Sequence, residues 1–134
     1  MGRLDDKVAV ITGGASGIGE ATVKLFVEQG ARVVIADIQD ERGKLLAKKL
    51  SPNAVFQHTD VSQESAIEAT ITYAEKTFGG LDCIFNNAGI PGIIGGLEEI
   101  SAEDFDWTIG VDFGGVFLGM KHAAPIMKRQ GFGS

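Results

Sequence analysis

The chain has 134 residues, 44% of them hydrophobic and 22% charged, which is the size and composition of one packed globular domain. Its net charge of −6 and the absence of a basic block argue against nucleic acid or an anionic membrane as a partner. The polar start, the lack of a bilayer-length apolar run and a single cysteine, Cys83, predict a cytoplasmic protein without an internal disulfide.

The first predicted element is a buried strand over 8–12 that runs into a glycine-rich turn. Gly13, Gly17 and Gly19 follow the strand, where the backbone must turn sharply and approach a ligand or a neighbouring strand. A helix is predicted over about 18–29, and its first N–H groups would face a ligand above the turn, for which pyrophosphate is the natural candidate. We expect the inner face of this helix to consist of Ala21, Val23, Leu25 and Phe26.

The following segments continue the alternation of strand and helix. A second strand is predicted over 32–37, ending in Asp37, and Asp40 is a candidate N-cap for a helix over 41–50. Strands are then predicted over 54–58 and 81–85, on either side of a helix over 64–78.

A long final helix is predicted after a glycine-rich loop. Ser101 and Asp104 have the spacing of a capping box, and the helical pattern continues to about Gln130, with a bend or an end at Pro125. Glycines recur along this helix, which lets other segments pack closely against it: Gly110, Gly114, Gly115 and Gly119.

This order of elements predicts an α/β fold with one domain over 1–134. We expect a Rossmann-type, doubly wound parallel sheet with the strand order 3-2-1-4, which ends after strand four and the long helix that follows.

The glycine turn and Asp37 together indicate a dinucleotide-binding site. Asp37 ends the second strand at the spacing of this fingerprint, where its carboxylate can accept hydrogen bonds from both ribose hydroxyls. The carboxylate would repel a 2′-phosphate, and neither Ser16 nor Ile38 offers a positive charge, so NAD(H) is favoured. Alternatively, Asp37 is a solvated loop acid or a helix cap.

Three motifs in order resemble the classical short-chain dehydrogenase/reductases: Thr12-Gly-Gly-Ala-Ser-Gly-Ile-Gly19, Asp60-Val61 and Asn86-Asn87-Ala88-Gly89. The segment 119–124 resembles plant-type members that oxidise secondary alcohols. The resemblance implies that Asp60 accepts from the adenine amino group, that the Val61 backbone meets the ring, and that 86–89 lies along the adenosine and steadies the sheet. The implied cofactor contacts are Gly13, Ser16, Gly17, Ile18, Gly19, Asp37, Ile38, Asp60, Val61, Asn87, Ala88 and Gly89. Alternatively, Asp60 caps a helix with Ser62 and the asparagines only form turns.

The sequence departs from this family at the catalytic residues. The family uses a Ser/Tyr/Lys site that follows a fifth strand, and the sequence reaches Ser134 where that strand would begin. The only tyrosine, Tyr73, precedes Lys76 by three positions, whereas the family motif needs four. Asp112 stands where the family carries an asparagine that holds a helix kink and a water, and an ionised aspartate cannot donate a hydrogen bond there.

We therefore expect the NAD(H)-binding part of an oxidoreductase that transfers hydride between nicotinamide and a secondary alcohol or ketone. On its own the chain should not catalyse this reaction. Two alternatives are a catalytically inactive nucleotide-binding or interaction module and a Rossmann methyltransferase, although the Asn86–Gly89 motif argues against the latter.

The remaining expectations concern single residues and association. Trp107 and Phe105 are interpreted as packing or subunit contacts, and His58 and His122 lack partners at metal-ligand spacing. Strand four would be an open sheet edge, which favours self-association, and the resemblance also implies a homo-oligomer.

Overall fold

The computed structural model describes residues 2–134 and alternates strands with helices along the chain. The strands are β1 (Val8–Thr12), β2 (Arg32–Asp37), β3 (Ala54–His58) and β4 (Cys83–Phe85). The helices are α1 (Gly17–Glu28), α2 (Asp40–Leu50), α3 (Glu64–Phe78), α4 (Ala102–Ile109) and α5 (Gly115–Gln130). A π-helical segment, Gly110–Gly114, joins α4 to α5, and a short 3-10 helix, Leu97–Glu99, precedes α4.

The four strands form one parallel sheet in the order β3-β2-β1-β4, as predicted. All five residues of β1 are buried, which its central position and its β-branched residues explain. The carboxyl ends of the strands meet at one edge of the sheet, so the turns that follow them lie together there.

Alternate residues of the sheet belong to two separate apolar cores. On one face, Val10 and Val34 pack with Ile67 and Ile71 of α3 and with Ile126 of α5. On the other face the core contains the following residues of β1, β2, α1 and α2: Ile11, Val33, Ile35, Val23 and Leu46. The sheet therefore carries helices on both faces, which confirms the doubly wound Rossmann-type arrangement.

The glycines of the final helix allow close packing, as expected. A Cβ on Gly115 would lie 2.9 Å from Cγ2 of Val61, and one on Gly119 would collide with the side chain of Asn86. Pro125 lies inside α5, which continues to Gln130, so the prediction that the helix could end at this proline is wrong.

The predicted inner face of α1 is half wrong. Ala21 and Leu25 are exposed, whereas Gly19 and Val23 are buried and Phe26 packs against the core. Positions 19, 23 and 26 share one side of a helix, and positions 21 and 25 lie two residues out of phase with it. The cap of α2 was also wrongly predicted, since Gln39 is its N-cap and the Asp40 side chain instead contacts His58 and Lys44.

Strand β4 begins later than predicted and its edge is partly covered. Leu81 is outside the strand because both of its backbone groups bond to the side chain of Gln130, at 3.0 Å to its N–H and 2.9 Å to its carbonyl oxygen. On the outer edge of β4, Ser134 donates to the carbonyl of Asp82 and accepts from the N–H of Ile84, both at 2.9 Å. The expectation of a wholly unpaired edge is therefore wrong.

No helix within residues 2–134 combines the length and the apolar character that a membrane crossing requires.

Candidate functional site

A cavity of about 450 Å³ lies at the carboxyl edge of the sheet. The turns after all four strands contribute to its lining, together with residues of the long helical segment that begins with α4. This is the position at which open parallel sheets bind ligands, because the strand-to-helix turns converge there.

The glycine turn after β1 brings backbone atoms closer together than side chains would allow. Gly13 has a φ of +62°, and a Cβ on it would lie 2.9 Å from Cα of Ala88. A Cβ on Gly19 would collide with the carbonyl oxygen of Gly13. Ser16, the N-cap of α1, makes no side-chain bond to the first turn, so the N–H groups of that turn can serve an anion over Gly17 and Ile18.

Asp37 is a buried carboxylate at the wall of this cavity, only 5% exposed. Its Oδ2 accepts from the N–H of Ala15 at 2.9 Å, and its Oδ1 accepts from the N–H of Gln39 at 3.0 Å. Nε2 of Gln39 donates a third hydrogen bond to Oδ1 at 3.3 Å. A carboxylate has about four acceptor positions, so one position remains for a ligand hydroxyl. The interpretation of Asp37 as a solvated loop acid is wrong, although its bond to the Gln39 amide does lie just before α2.

The residues around Asp37 carry no positive charge toward the cavity. Ser16 accepts a hydrogen bond from Nε2 of Gln39 at 3.1 Å, and Ile38 presents an exposed apolar side chain. Among the residues that the structure describes, no lysine or arginine lines this cavity. A phosphate on the ribose would therefore meet Asp37 without a compensating cation.

Asp60 and Val61 form the wall after β3. Oδ1 of Asp60 accepts from the backbone N–H of Ser62 at 3.0 Å and from its hydroxyl at 2.7 Å, which closes a local turn. The N-cap of α3 is Gln63, so Asp60 does not cap that helix. Val61 is buried in the core and also lines the cavity.

Asn87 joins the ends of β1 and β4. Its Nδ2 donates to the carbonyl oxygens of Thr12 at 2.9 Å and Gly13 at 3.3 Å. The hydroxyl of Thr12 accepts from the backbone N–H groups of Asn87 and Ala88, each at 3.0 Å. This segment therefore holds the glycine turn against β4, in addition to lining the cavity with Ala88 and Gly89.

Asp112 lies in the π-helical segment and acts as a hydrogen-bond acceptor. Its Oδ1 accepts from the N–H of Ile90 at 2.8 Å, which ties the loop after β4 to the long helix. This bond requires only an acceptor, so an aspartate in place of an asparagine satisfies it.

Five lining residues were not assigned to the cavity from the sequence: Gln39, Thr59, Ile90, Trp107 and Val111. Thr59 and Gln39 could have been found, since each lies beside the end of a strand whose other residues were assigned. Trp107 was interpreted as a packing or subunit contact rather than a stacking residue, and its half-exposed side chain lines the cavity.

The other candidate groups lie apart from this site. Tyr73 and Lys76 line a shallow depression beside α3, away from the cavity. Cys83 is half-buried, and burial raises the pKa of its thiol, with Asp82 adding to the effect. His58 pairs with Asp40 and His122 with Glu64, yet no group of three metal-ligating side chains occurs in residues 2–134.

The sequence model of the short chain dehydrogenase family matches residues 7–134. The chain belongs to this family. The family predicted from the glycine turn, Asp60-Val61 and the Asn86–Gly89 motif is therefore confirmed.

Two plant relatives illustrate the similarity. The chain is 50% identical to momilactone A synthase of Oryza sativa subsp. japonica over 127 residues, which cover 93% of this chain and 46% of that protein. It is 45% identical to secoisolariciresinol dehydrogenase of Forsythia intermedia over 131 residues, which cover 93% of this chain and 46% of that protein. The chain thus spans about half the length of the curated relatives it matches.

A solved structure supports the same fold assignment. A short-chain dehydrogenase/reductase from Burkholderia phymatum, determined in complex with NAD, superposes with a TM-score of 0.90 at 37% identity. The superposition covers 97% of this chain and 47% of that chain.

The residues at the cavity fit a nicotinamide dinucleotide. The turn lacks side chains where a pyrophosphate would approach the start of α1, and a Cβ on Gly17 would meet nothing within 4 Å, so the space above the turn is open. Asp37 places a carboxylate acceptor at the wall where a ribose would lie, and apolar side chains such as Val61 and Val111 suit a flat base.

Proposed function

We propose that the chain is the NAD(H)-binding part of a short-chain oxidoreductase that interconverts a secondary alcohol and a ketone. The observation that carries the proposal is the buried carboxylate of Asp37 on the same cavity wall as the glycine turn. Burial of an acid without a cationic partner is costly, and within residues 2–134 this one is held at the cavity wall by hydrogen bonds from Ala15 and Gln39 alone.

Each part of the cavity has a defined task in this proposal. The first turn of α1 holds the pyrophosphate, Asp37 orients the adenosine ribose, and Asp60 with Val61 receives the adenine. Asn87 keeps the glycine turn in register with β4, and Asp112 positions the loop at Ile90. When bound, the nicotinamide supplies the hydride chemistry, while these residues supply binding and orientation.

We propose further that residues 1–134 bind the cofactor without catalysing the reaction. A short-chain oxidoreductase of this type needs a tyrosine that exchanges a proton with the substrate oxygen. Tyr73 is remote from the cavity, and within residues 2–134 no tyrosine lines it. This observation favours the alternative of an inactive nucleotide-binding or interaction module for the chain by itself.

The proposal is tested by comparing NADH with NADPH. The unmutated chain should bind NADH at least about tenfold more tightly, because Asp37 repels the 2′-phosphate. In Asp37→Ala the preference should fall to about threefold or less, because the repelling charge is gone. Calorimetric titration measures both affinities directly.

Asp40→Ala is the matched control for this experiment. It removes the same charge from an exposed residue outside the cavity, and the NADH preference should stay unchanged. Asp37→Asn keeps the shape of the side chain and separates loss of charge from loss of packing. Equal affinity for both cofactors in the unmutated chain would refute the assignment of Asp37.

We also propose that this single domain is cytoplasmic and self-associates. The long helical segment presents an exposed apolar face made of Ile109, Phe113, Phe117 and Met120. Sedimentation should show dimers or larger species, and Phe117→Asp should shift the distribution toward monomer, because a charge would then enter an apolar contact. A stable monomer in the unmutated chain would contradict this proposal.

A further inference from the structure

The order of the binding residues along the edge of the sheet determines the order in which the pyrophosphate, the ribose and the base of a dinucleotide would lie there. The glycine turn follows β1, Asp37 ends β2 and Asp60 follows β3, and these strands are adjacent in the sheet. If pyrophosphate lies over the first turn and ribose at the second strand, the base attached to that ribose must extend toward β3.

At that end the cavity is lined by apolar side chains from two sides. Ile38 follows β2, Val61 follows β3, and Val111 and Trp107 come from the long helical segment. The helix passes close to the loop after β3, because a Cβ on Gly115 would contact Val61 and one on Gly110 would lie 3.8 Å from Cβ of Ser62. Apolar side chains from the strand turns and from the long helical segment therefore line this end of the cavity, which suits a flat base.

Trp107 is the more exposed of the two residues that the long helical segment contributes to this lining. It lies one helical turn before Val111, and 51% of its surface is exposed, whereas Val111 is only 9% exposed. The neighbouring aromatic Phe105 is similarly exposed at 59% but does not line the cavity. A half-exposed indole in the lining of the cavity is a candidate to stack on a bound base.

We propose that Trp107 closes the adenine end of the cavity by stacking its indole ring on the base. This inference rests on the proposed function, since it requires the adenine of the cofactor to lie at the β3 end. It assigns to Trp107 a share of the binding affinity that comes from the aromatic ring and not from a hydrogen bond or a charge. The ring therefore acts on the adenosine half of the cofactor and leaves the nicotinamide half untouched.

ADP-ribose is the direct probe, because it carries the adenine and both phosphates but no nicotinamide. Calorimetric titration should show that Trp107→Ala binds ADP-ribose about tenfold more weakly than the unmutated chain, the usual effect of removing one stacking ring. Trp107→Phe retains a ring and should lose only about twofold to threefold. Phe105→Ala is the control and should bind like the unmutated chain.

The sequence contains one tryptophan, so its fluorescence reports on this position alone. The emission of the unmutated chain should change in a saturable manner with ADP-ribose, with the same Kd as the calorimetric titration. This second measurement decides the question even if Trp107→Ala fails to fold.

The outcomes separate the inference from the proposed function. Equal binding by Trp107→Ala and Phe105→Ala, or saturable calorimetric binding that leaves the fluorescence unchanged, would overturn the role of Trp107 and leave the cofactor site intact. Failure of the unmutated chain to bind ADP-ribose at all would overturn the proposed function and the stacking role together.

Discussion

The two sides of the cavity are constructed differently. On the side of β1 and β2, hydrogen bonds join the glycine turn to Asp37 and Thr12 to Asn87, and the residues Thr12, Ala15 and Asp37 are buried. On the opposite side, the segment from Ile90 to α4 is mostly exposed, and one bond from Ile90 to Asp112 ties it to the long helix.

The difference separates two functions within one site. The β1–β2 side is fixed by hydrogen bonds within the protein, so under the proposed function little ordering entropy would be lost when the adenosine diphosphate end of the cofactor binds. The opposite side is open to solvent, and its exposed side chains include Ile93, Ile94 and Leu97. We expect mutations on the β1–β2 side to lower the stability of the whole fold. Mutations on the opposite side should loosen only the local loop.

The largest effect is expected at Gly19. In Gly19→Ala the new Cβ would collide with the carbonyl oxygen of Gly13, and we expect the free energy of unfolding to fall by about 3 kcal/mol. Gly17→Ala is the matched variant, because a Cβ there meets nothing within 4 Å and only the φ of +54° is unfavourable. Gly17→Ala should lower the free energy of unfolding by about 1 kcal/mol.

Denaturant unfolding of the two variants measures this difference. Equal losses of unfolding free energy in Gly19→Ala and Gly17→Ala would show that the glycine turn can shift to accept a Cβ. The contrast between the two sides of the cavity would then be lost.

A smaller and local effect is expected at Asp112 on the open side. Asp112→Leu removes the acceptor for the N–H of Ile90 and should cost about 1 kcal/mol, while Asp112→Asn keeps an acceptor oxygen and should be nearly neutral. Hydrogen exchange at the Ile90 amide is the measurement, with faster exchange expected only in the leucine variant. Unchanged exchange in Asp112→Leu would mean that this bond does not order the loop.

Most of the β1–β2 side could be predicted from the sequence because its signals are local. The strand order, the turn glycines, the position of Asp37 at the end of β2 and the bounds of α3 all follow from short patterns of residue type. The capping box of Ser101 and Asp104 is of the same kind, and it is present as predicted.

The open side and the strand edges could not be predicted as well, because distant contacts decide them. Gln130 bonds to Leu81 from the far end of the long helix and so delays the start of β4. The path of α4 across the loop after β3 brings Trp107 to the cavity, and no short pattern encodes that path. The π-helical segment that contains Asp112 is likewise determined by packing.

The smallest effect concerns the exposed contacts that tie the long helix to α3. Hydrogen bonds from Lys121 and then His122 lower the pKa of Glu64 below its ordinary value of 4.5. A lowered pKa means that the carboxylate stabilises the fold at neutral pH, and that this contribution declines as the pH falls below about 4.5 toward the folded-state pKa.

Glu64→Gln should therefore be slightly less stable than the unmutated chain at neutral pH and no different in acid, since an exposed pair contributes little. Thermal unfolding at both pH values measures this, with Glu68→Gln on the same helix as the control. A Glu64→Gln deficit that persists unchanged in acid would show that the contact acts through packing and not through charge.

The central claim is that the adenosine diphosphate end of the cofactor is held by residues that are already in place. Calorimetric titration of the unmutated chain with ADP-ribose tests it most directly. We predict one saturable site, with a Kd within about tenfold of that for NADH, because the adenosine diphosphate end of the cofactor carries most of the affinity. No saturable binding of ADP-ribose, or a Kd for NADH that is tighter by more than about a hundredfold, would contradict the claim.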